Sequence, residues 1–153
     1  MNKKKLARFR EILRAFDREL FLQNNASCCN GITLTQCHTL LEIENKEVIT
    51  ITDLANNLSL DKSTVSRTVD GLVNIGLVDR TIPKNNRRTT ELCLTDLGKK
   101  TCDAINYTNN QYILNVLADF TDQEKTKLVR LFDKVTQNMI RLRETIDSKP
   151  CSS

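Results

Sequence analysis

The chain has 153 residues, 39% of them apolar and 27% charged, with four glycines, two prolines and no tryptophan. That length accommodates one domain or two small lobes with a genuine core, and the composition excludes collagen-like, Pro/Gly-rich disordered and membrane-spanning chains, since no stretch approaches the roughly 20 apolar residues a spanning helix needs. Lysine and arginine exceed aspartate and glutamate by four, with a mean hydropathy of −0.38 and a pI near 8.8, a weak indication of polyanion binding.

The start Met1-Asn2-Lys3-Lys4-Lys5 imitates the basic end of a signal peptide, but Arg8, Arg10, Glu11 and Arg14 interrupt the apolar run that should follow, so a cytoplasmic location is expected. Leu6, Phe9, Leu13, Phe16 and Leu20 recur at steps of three and four, predicting an amphipathic first helix over residues 5–23. The polar stretch from Asn24 to Gly31, which contains the adjacent Cys28 and Cys29, reads as a loop. Thr33 followed three residues later by Gln36 predicts a capping box that opens a second helix running to about Glu44. Val48-Ile49-Thr50-Ile51 predicts a short strand, with Thr52 as the cap of a third helix carrying Leu54, Ala55 and Leu58. After a tight turn, Asp61 caps a fourth helix whose buried stripe is Val65, Val69, Leu72 and Val73, and Gly76 ends it in a left-handed cap. The third and fourth helices thus have helix-turn-helix form.

Residues 77–82 and 89–94 predict two strands joined by Pro83-Lys84-Asn85-Asn86-Arg87-Arg88, a basic hairpin or wing. Thr95 caps a long fifth helix through Ile105, Ile113, Val116 and Leu117. Thr121 and Glu124 form a second capping box, opening a sixth helix with Leu128, Leu131, Phe132, Val135, Met139 and Leu142 that Ser148-Lys149-Pro150 ends. The expected fold class is mainly α with a small β-wing. Between residues 62 and 88, six basic residues (Lys62, Arg67, Arg80, Lys84, Arg87 and Arg88) face only Asp70 and Asp79. With Val65, Val69 and Leu72 turned inward, Lys62, Ser63, Thr64, Ser66 and Arg67 share the outer face of the fourth helix, and these residue types suit a DNA major groove. Arg67 and Asp70, three apart, could instead pair with each other.

Five stretches carry a resemblance: Ile32-Thr33-Leu34-Thr35-Gln36, Leu54-Ala55, Ser63-Thr64-Val65-Ser66-Arg67-Thr68-Val69-Asp70-Gly71-Leu72, Gly76-Leu77-Val78-Asp79-Arg80, and Leu92-Cys93-Leu94-Thr95-Asp96-Leu97-Gly98. Over nearly its whole length the chain resembles the MarR family of bacterial winged-helix transcription regulators. The resemblance implies a winged helix-turn-helix DNA-binding domain over residues 33–95 and a helical dimerisation region over residues 1–32 and 96–153, built from the first, fifth and sixth helices. It implies an obligate homodimer on double-stranded DNA, with a pseudo-palindromic operator whose half-sites lie about one helical turn apart. It also places Lys84 on phosphate and Arg87 or Arg88 in a minor groove. One departure stands out: the family's wing usually reads Asp-x-Arg, and the matching stretch here is Asn86-Arg87-Arg88, without the acidic partner of the wing arginine.

Six cysteines, at positions 28, 29, 37, 93, 102 and 151, include no CxxC pair, which disfavours a zinc ribbon or thioredoxin-like motif. Thiolates are soft ligands for thiophilic ions, and trivalent arsenic or antimony binds three sulfurs in a pyramid. Cys28, Cys29 and Cys151 are the expected triad, a pattern resembling a MarR subgroup associated with arsenic resistance operons. The alternative is redox sensing by the same thiols through sulfenic acid and a disulfide. Cys37 falls on the apolar face of the second helix and is expected in the core, Cys93 and Cys102 are not expected to be ligands, and His38 is expected to be exposed rather than to join a zinc site. The expected function is a transcriptional repressor released by As(III) or Sb(III), requiring no cofactor. Two rivals remain: a thiol oxidoreductase, disfavoured because glycine-rich phosphate loops and HExxH are absent, and a non-specific nucleoid-type DNA binder.

Overall fold

The computed structural model describes residues 2–26, 31–83 and 89–147. Along them run α1 (Lys3–Ala26), α2 (Leu34–Lys46), β1 (Ile49–Thr50), α3 (Ile51–Leu58), α4 (Lys62–Asn74), β2 (Val78–Thr81), β3 (Glu91–Leu94), α5 (Asp96–Val116) and α6 (Asp122–Asp147). The chain divides into two compact units, Met1–Tyr107 and Thr108–Ser153.

In the first unit, α2 begins with the expected reciprocal box: Gln36 N–H donates to Thr33 Oγ1 at 3.2 Å and Thr33 N–H to Gln36 Oε1 at 2.8 Å. The next cap differs from expectation. Thr50, not Thr52, opens α3, its Oγ1 accepting Asp53 N–H at 3.1 Å while donating to Asp53 Oδ2 at 2.7 Å. A cap needs a partner amide three residues on, and the Thr50–Asp53 spacing supplies one that also carries a carboxylate. The strand is therefore cut to two residues and Ile51 is helical. Between α2 and β1, Glu47 takes φ 61 and ψ −50 in a tight turn where Val48 N–H donates to Lys46 O at 2.6 Å, a strained conformation for a residue with a side chain. The first helix runs on to Ala26, beyond the expected end at residue 23, because neither glycine nor proline stands there to stop it.

β1, β3 and β2 form one antiparallel sheet in that order, with Ile49 opposite Leu92 and Val78 opposite Leu94. α2, α3 and α4 pack on one another, and β3 on α2. The centre is apolar: Leu40, Ile43, Leu54, Val65, Val69, Leu72, Val78 and Leu92 expose 1% of their surface or less. This core takes its three residues from α4 at the expected helical spacing, with Val73 only partly buried at its margin.

The end of α4 is a double reverse bond. Leu77 N–H returns to Leu72 O at 3.0 Å and Gly76 N–H to Val73 O at 2.9 Å, which requires the positive φ of 74° that glycine adopts without a Cβ clash. Thr95 then ties α5 to this corner, its N–H donating to Leu77 O and its hydroxyl to Gly76 O, while its Oγ1 accepts Gly98 N–H at 2.9 Å. In the second unit, the box at the start of α6 forms as expected, with Thr121 N–H donating to Glu124 Oε2 at 2.9 Å and Glu124 N–H to Thr121 Oγ1 at 3.3 Å. The Thr121 N–H, followed by the Thr121 hydroxyl donating to Oε2 at 2.7 Å, holds the Glu124 carboxyl below its usual range. No helix among the described residues is long and apolar enough to cross a membrane.

Candidate nucleic-acid interface

One tight turn, Ser59 to Asp61, separates α3 from α4. Ser59 adopts the left-handed conformation at the end of α3, its N–H directed at Ala55 and Asn56 carbonyls, and the chain re-enters helix through the extended Asp61. This geometry turns one helix out of the core while its inner stripe stays in. On α4, Lys62, Ser63 and Arg67 are exposed, and Thr64 and Ser66 are half-buried, while Val65, Val69 and Leu72 are fully buried between them. Five of the eight residues expected at a DNA surface are thus brought onto one helix. The other three, Lys84, Arg87 and Arg88, lie outside the described residues.

The first turn of α4 is more tightly organised than its sequence suggests. Asp61 Oδ1 accepts Thr64 N–H at 2.8 Å and the Ser63 hydroxyl at 2.5 Å, and Oδ2 accepts the Thr64 hydroxyl at 2.6 Å. The Ser63 and Thr64 hydroxyls, followed by the Thr64 amide, hold the Asp61 carboxyl far below the ordinary aspartate value of 3.8, so it is ionised at neutral pH. The expectation for Asp61 was a cap alone; the Asp-x-Ser-Thr spacing was the signal that two hydroxyls share it.

A second polar link joins α4 to the sheet. Arg80 Nη2 lies 2.8 Å from Asp70 Oδ1, so the carboxylate that could have paired with Arg67 is engaged by β2. Among the described residues Arg67 takes part in no ion pair. Arg80 is about one-third exposed and Asp70 half exposed, and pairs of this kind contribute about 0–1 kcal/mol, so the link orients more than it stabilises. No signal in the sequence distinguished Arg80 from the other cations of this segment, because the pairing depends on the β2 register.

Of the cysteines, Cys37 and Cys102 are buried and Cys93 is half-buried, and none of these three is in a disulfide. Cys102 exposes no surface, and burial, reinforced by the Glu44 and Asp103 carboxylates, pushes its thiol up to about 12. His38 is exposed. Among the described residues no group of three or more His, Cys, Asp or Glu side chains could hold a metal ion. Cys28, Cys29 and Cys151, the expected metalloid triad, lie outside the described residues.

A three-helix core crossed by a three-stranded antiparallel hairpin sheet, with one helix presented outward, is a winged helix-turn-helix. Residues 32–90 match the family model described as MarR family. The uncharacterized HTH-type transcriptional regulator YhjH of Bacillus subtilis (strain 168) is 31% identical over 110 residues, covering 69% of this chain; the chain spans 63% of that relative's length. A MarR family protein from Bacillus stearothermophilus superposes with a TM-score of 0.81 at 25% identity, covering 92% of this chain and 99% of its own. A cysteine-to-serine mutant of MarR from E. coli, solved in complex with operator DNA, gives a TM-score of 0.64 at 25% identity over 86% of this chain and 93% of its own. Residues 32–90 are thus a MarR family domain, and the fold of the described residues is that of MarR family structures.

Proposed function

We propose that this chain is a homodimeric, sequence-specific DNA-binding transcriptional repressor, and not an enzyme, that leaves its operator when trivalent arsenic or antimony binds Cys28, Cys29 and Cys151. The observation that carries the DNA-binding reading is α4, whose polar residues Lys62, Ser63, Thr64, Ser66 and Arg67 line the outside of a winged helix-turn-helix while its apolar stripe is fully buried. Arg67 would pair with guanine edges, worth about 1–3 kcal/mol of discrimination per good bidentate contact. Lys84 would lie on phosphate and Arg87 or Arg88 in the minor groove, reading its width. The operator complex of the E. coli MarR mutant supports the same use of this fold here. A protein that acts on the genome works in the cytoplasm.

The dimer reading rests on apolar rows left at the surface of single chains. On α1, Leu6, Phe9, Leu13, Phe16 and Leu20 are 39–44% exposed, at the alternating steps of three and four that form a helix-packing seam. On α6, Val135, Met139, Leu142 and Ile146 continue the same spacing with 39–69% exposure. A contiguous apolar surface of this kind marks a protein interface, and a twofold dimer requires a pseudo-palindromic operator.

For the effector, the chemistry of the thiols carries the reading. Three thiols replacing the three hydroxyls of arsenous acid release three waters and leave arsenic on three sulfurs. Cys37 and Cys102 are sealed in the core and Cys93 is half-buried in β3, which leaves the adjacent pair and the C-terminal cysteine as the set without packing duties by sequence. Release needs only that the ligand favour the DNA-incompetent dimer, and a difference of about 2–3 kcal/mol shifts occupancy tens to hundreds of fold. The test is fluorescence anisotropy of the reduced protein on the DNA upstream of its own gene, titrated with arsenite under anaerobic conditions. Release near stoichiometric arsenite, abolished by replacing Cys28 and Cys29 with serine, is the expected result. Tight binding that arsenite leaves unchanged removes the metalloid role and keeps the DNA-binding role; absence of operator preference over unrelated DNA removes both.

A further inference from the structure

The first turn of α4 holds a directional constraint that, given the DNA-binding role proposed above, bears on which bases it reads. An ionised carboxylate has acceptors only, and a hydroxyl has one proton. The Ser63 hydroxyl, 2.5 Å from Asp61 Oδ1, and the Thr64 hydroxyl, 2.6 Å from Oδ2, must both be donors in these bonds. Their protons are therefore committed inward, and only oxygen lone pairs remain for a third group. The Thr64 N–H bond to Oδ1 at 2.8 Å anchors the same carboxylate to the helix, so the whole arrangement is rigid with α4.

Phosphate oxygens, guanine O6 and N7, adenine N7 and thymine O4 are all acceptors, and two acceptors repel. In the major groove the donors are the exocyclic amino groups, N6 of adenine and N4 of cytosine. We propose that Asp61 is a positioning residue that presents the Ser63 and Thr64 hydroxyls to DNA as hydrogen-bond acceptors, so that the first turn of α4 selects the amino group of adenine or cytosine. The helix surface is thereby divided. Its first turn accepts, and Arg67, one turn on, donates. Ser63 and Thr64, placed by sequence on the outer face of this helix, are thereby assigned to bases.

The experiment starts from a half-site selected with purified protein from a randomised duplex library at fixed salt. Each adenine or cytosine of that half-site is then replaced by the analogue lacking its amino group, 2′-deoxynebularine or 2′-deoxyzebularine, and binding is measured by anisotropy. The wild-type protein loses about tenfold in affinity at one or two of these positions, the size expected of a lost base contact. Asp61→Asn keeps a good helix cap but has one acceptor oxygen and a donor amide in place of two acceptors, so one hydroxyl is released to donate. Repeating the selection with Asp61→Asn moves the preference at the sensitive position toward guanine or thymine, and Ser63→Ala, which leaves the cap intact, relaxes it. A wild-type protein indifferent to every amino deletion, or an Asp61→Asn protein with unaltered base preference at an amino-sensitive position, overturns the proposal. If the wild-type protein selects no sequence at all, the DNA-binding reading itself fails and this one with it, an outcome distinct from selection without amino dependence.

Discussion

Thr39 lies in the middle of α2 with no exposed surface, and its Oγ1 has no hydrogen-bond partner among the described residues. A buried hydroxyl without a partner keeps its desolvation cost and gains nothing in return. Thr39→Val, which swaps that hydroxyl for a methyl of similar size, should raise stability by about 1 kcal/mol in urea denaturation. An unchanged or lowered midpoint would mean that the hydroxyl is satisfied in solution. At Cys102 the chemistry is acid–base. Its thiol is pushed up from 9.0 to about 12, so the protonated form is favoured by folding. The stability this contributes is complete below pH 9 and is lost as the pH rises through about 12, the opposite sign to that of the lowered Asp61 and Glu124 carboxyls, whose contributions fade in acid. Peptide mapping after maleimide labelling at pH 8 should find Cys102 unmodified in the native protein and modified once it is unfolded, whereas Cys93 labels in both. Equal native labelling of Cys93 and Cys102 would contradict the sealed position.

At the scale of elements, the caps were the most legible feature. Thr33 with Gln36, Thr121 with Glu124, Thr95 with Gly98 and Asp61 with Thr64 all form the bonds that their spacing predicts, because a cap is decided by residues three apart. Thr50 and Thr52 illustrate the limit. Both precede an apolar helical run, and the choice between them depends on β1 pairing with β3, which holds Ile49 and Thr50 in the sheet. Gly98 shows a constraint of another kind. It is buried near the start of α5, where an added Cβ would lie 2.1 Å from the Leu77 carbonyl oxygen, a main-chain atom that is itself held by Thr95 N–H. Gly98→Ala should therefore destabilise the fold by about 3 kcal/mol despite alanine's better helix propensity, through forced separation of α5 from the α4–β2 corner. A thermal midpoint equal to or above that of the wild type would show that the corner yields easily.

For the whole molecule, the question is what covers the apolar rows of α1 and α6. If a second copy does, a carboxylate placed in either row must be buried without a partner, at a cost of about 3 kcal/mol or more per site. Leu13→Glu and Met139→Glu should each shift the mass in light scattering from a dimer toward the 17.5 kDa chain and weaken operator binding in step. Retention of the dimer by both variants would place the interface elsewhere. Each row remains at the surface of its own unit.

Local rules in the sequence by themselves determined the order of helices and strands, the caps of α2, α4, α5 and α6, the buried stripe of α4 and the polar residues opposite it, because each depends on neighbours within about one helical turn. The MarR resemblance was legible for the same reason, its motifs being contiguous runs around those turns. Only the tertiary structure decided that Asp70 pairs with Arg80 and not Arg67, that Thr50 caps α3, and that Gly98 must lack a side chain. Those outcomes depend on which residues the sheet register and helix packing bring together across long stretches of chain, Asp70 to Arg80, Leu77 to Gly98 and Ile49 to Leu92, and no local spacing encodes such separations.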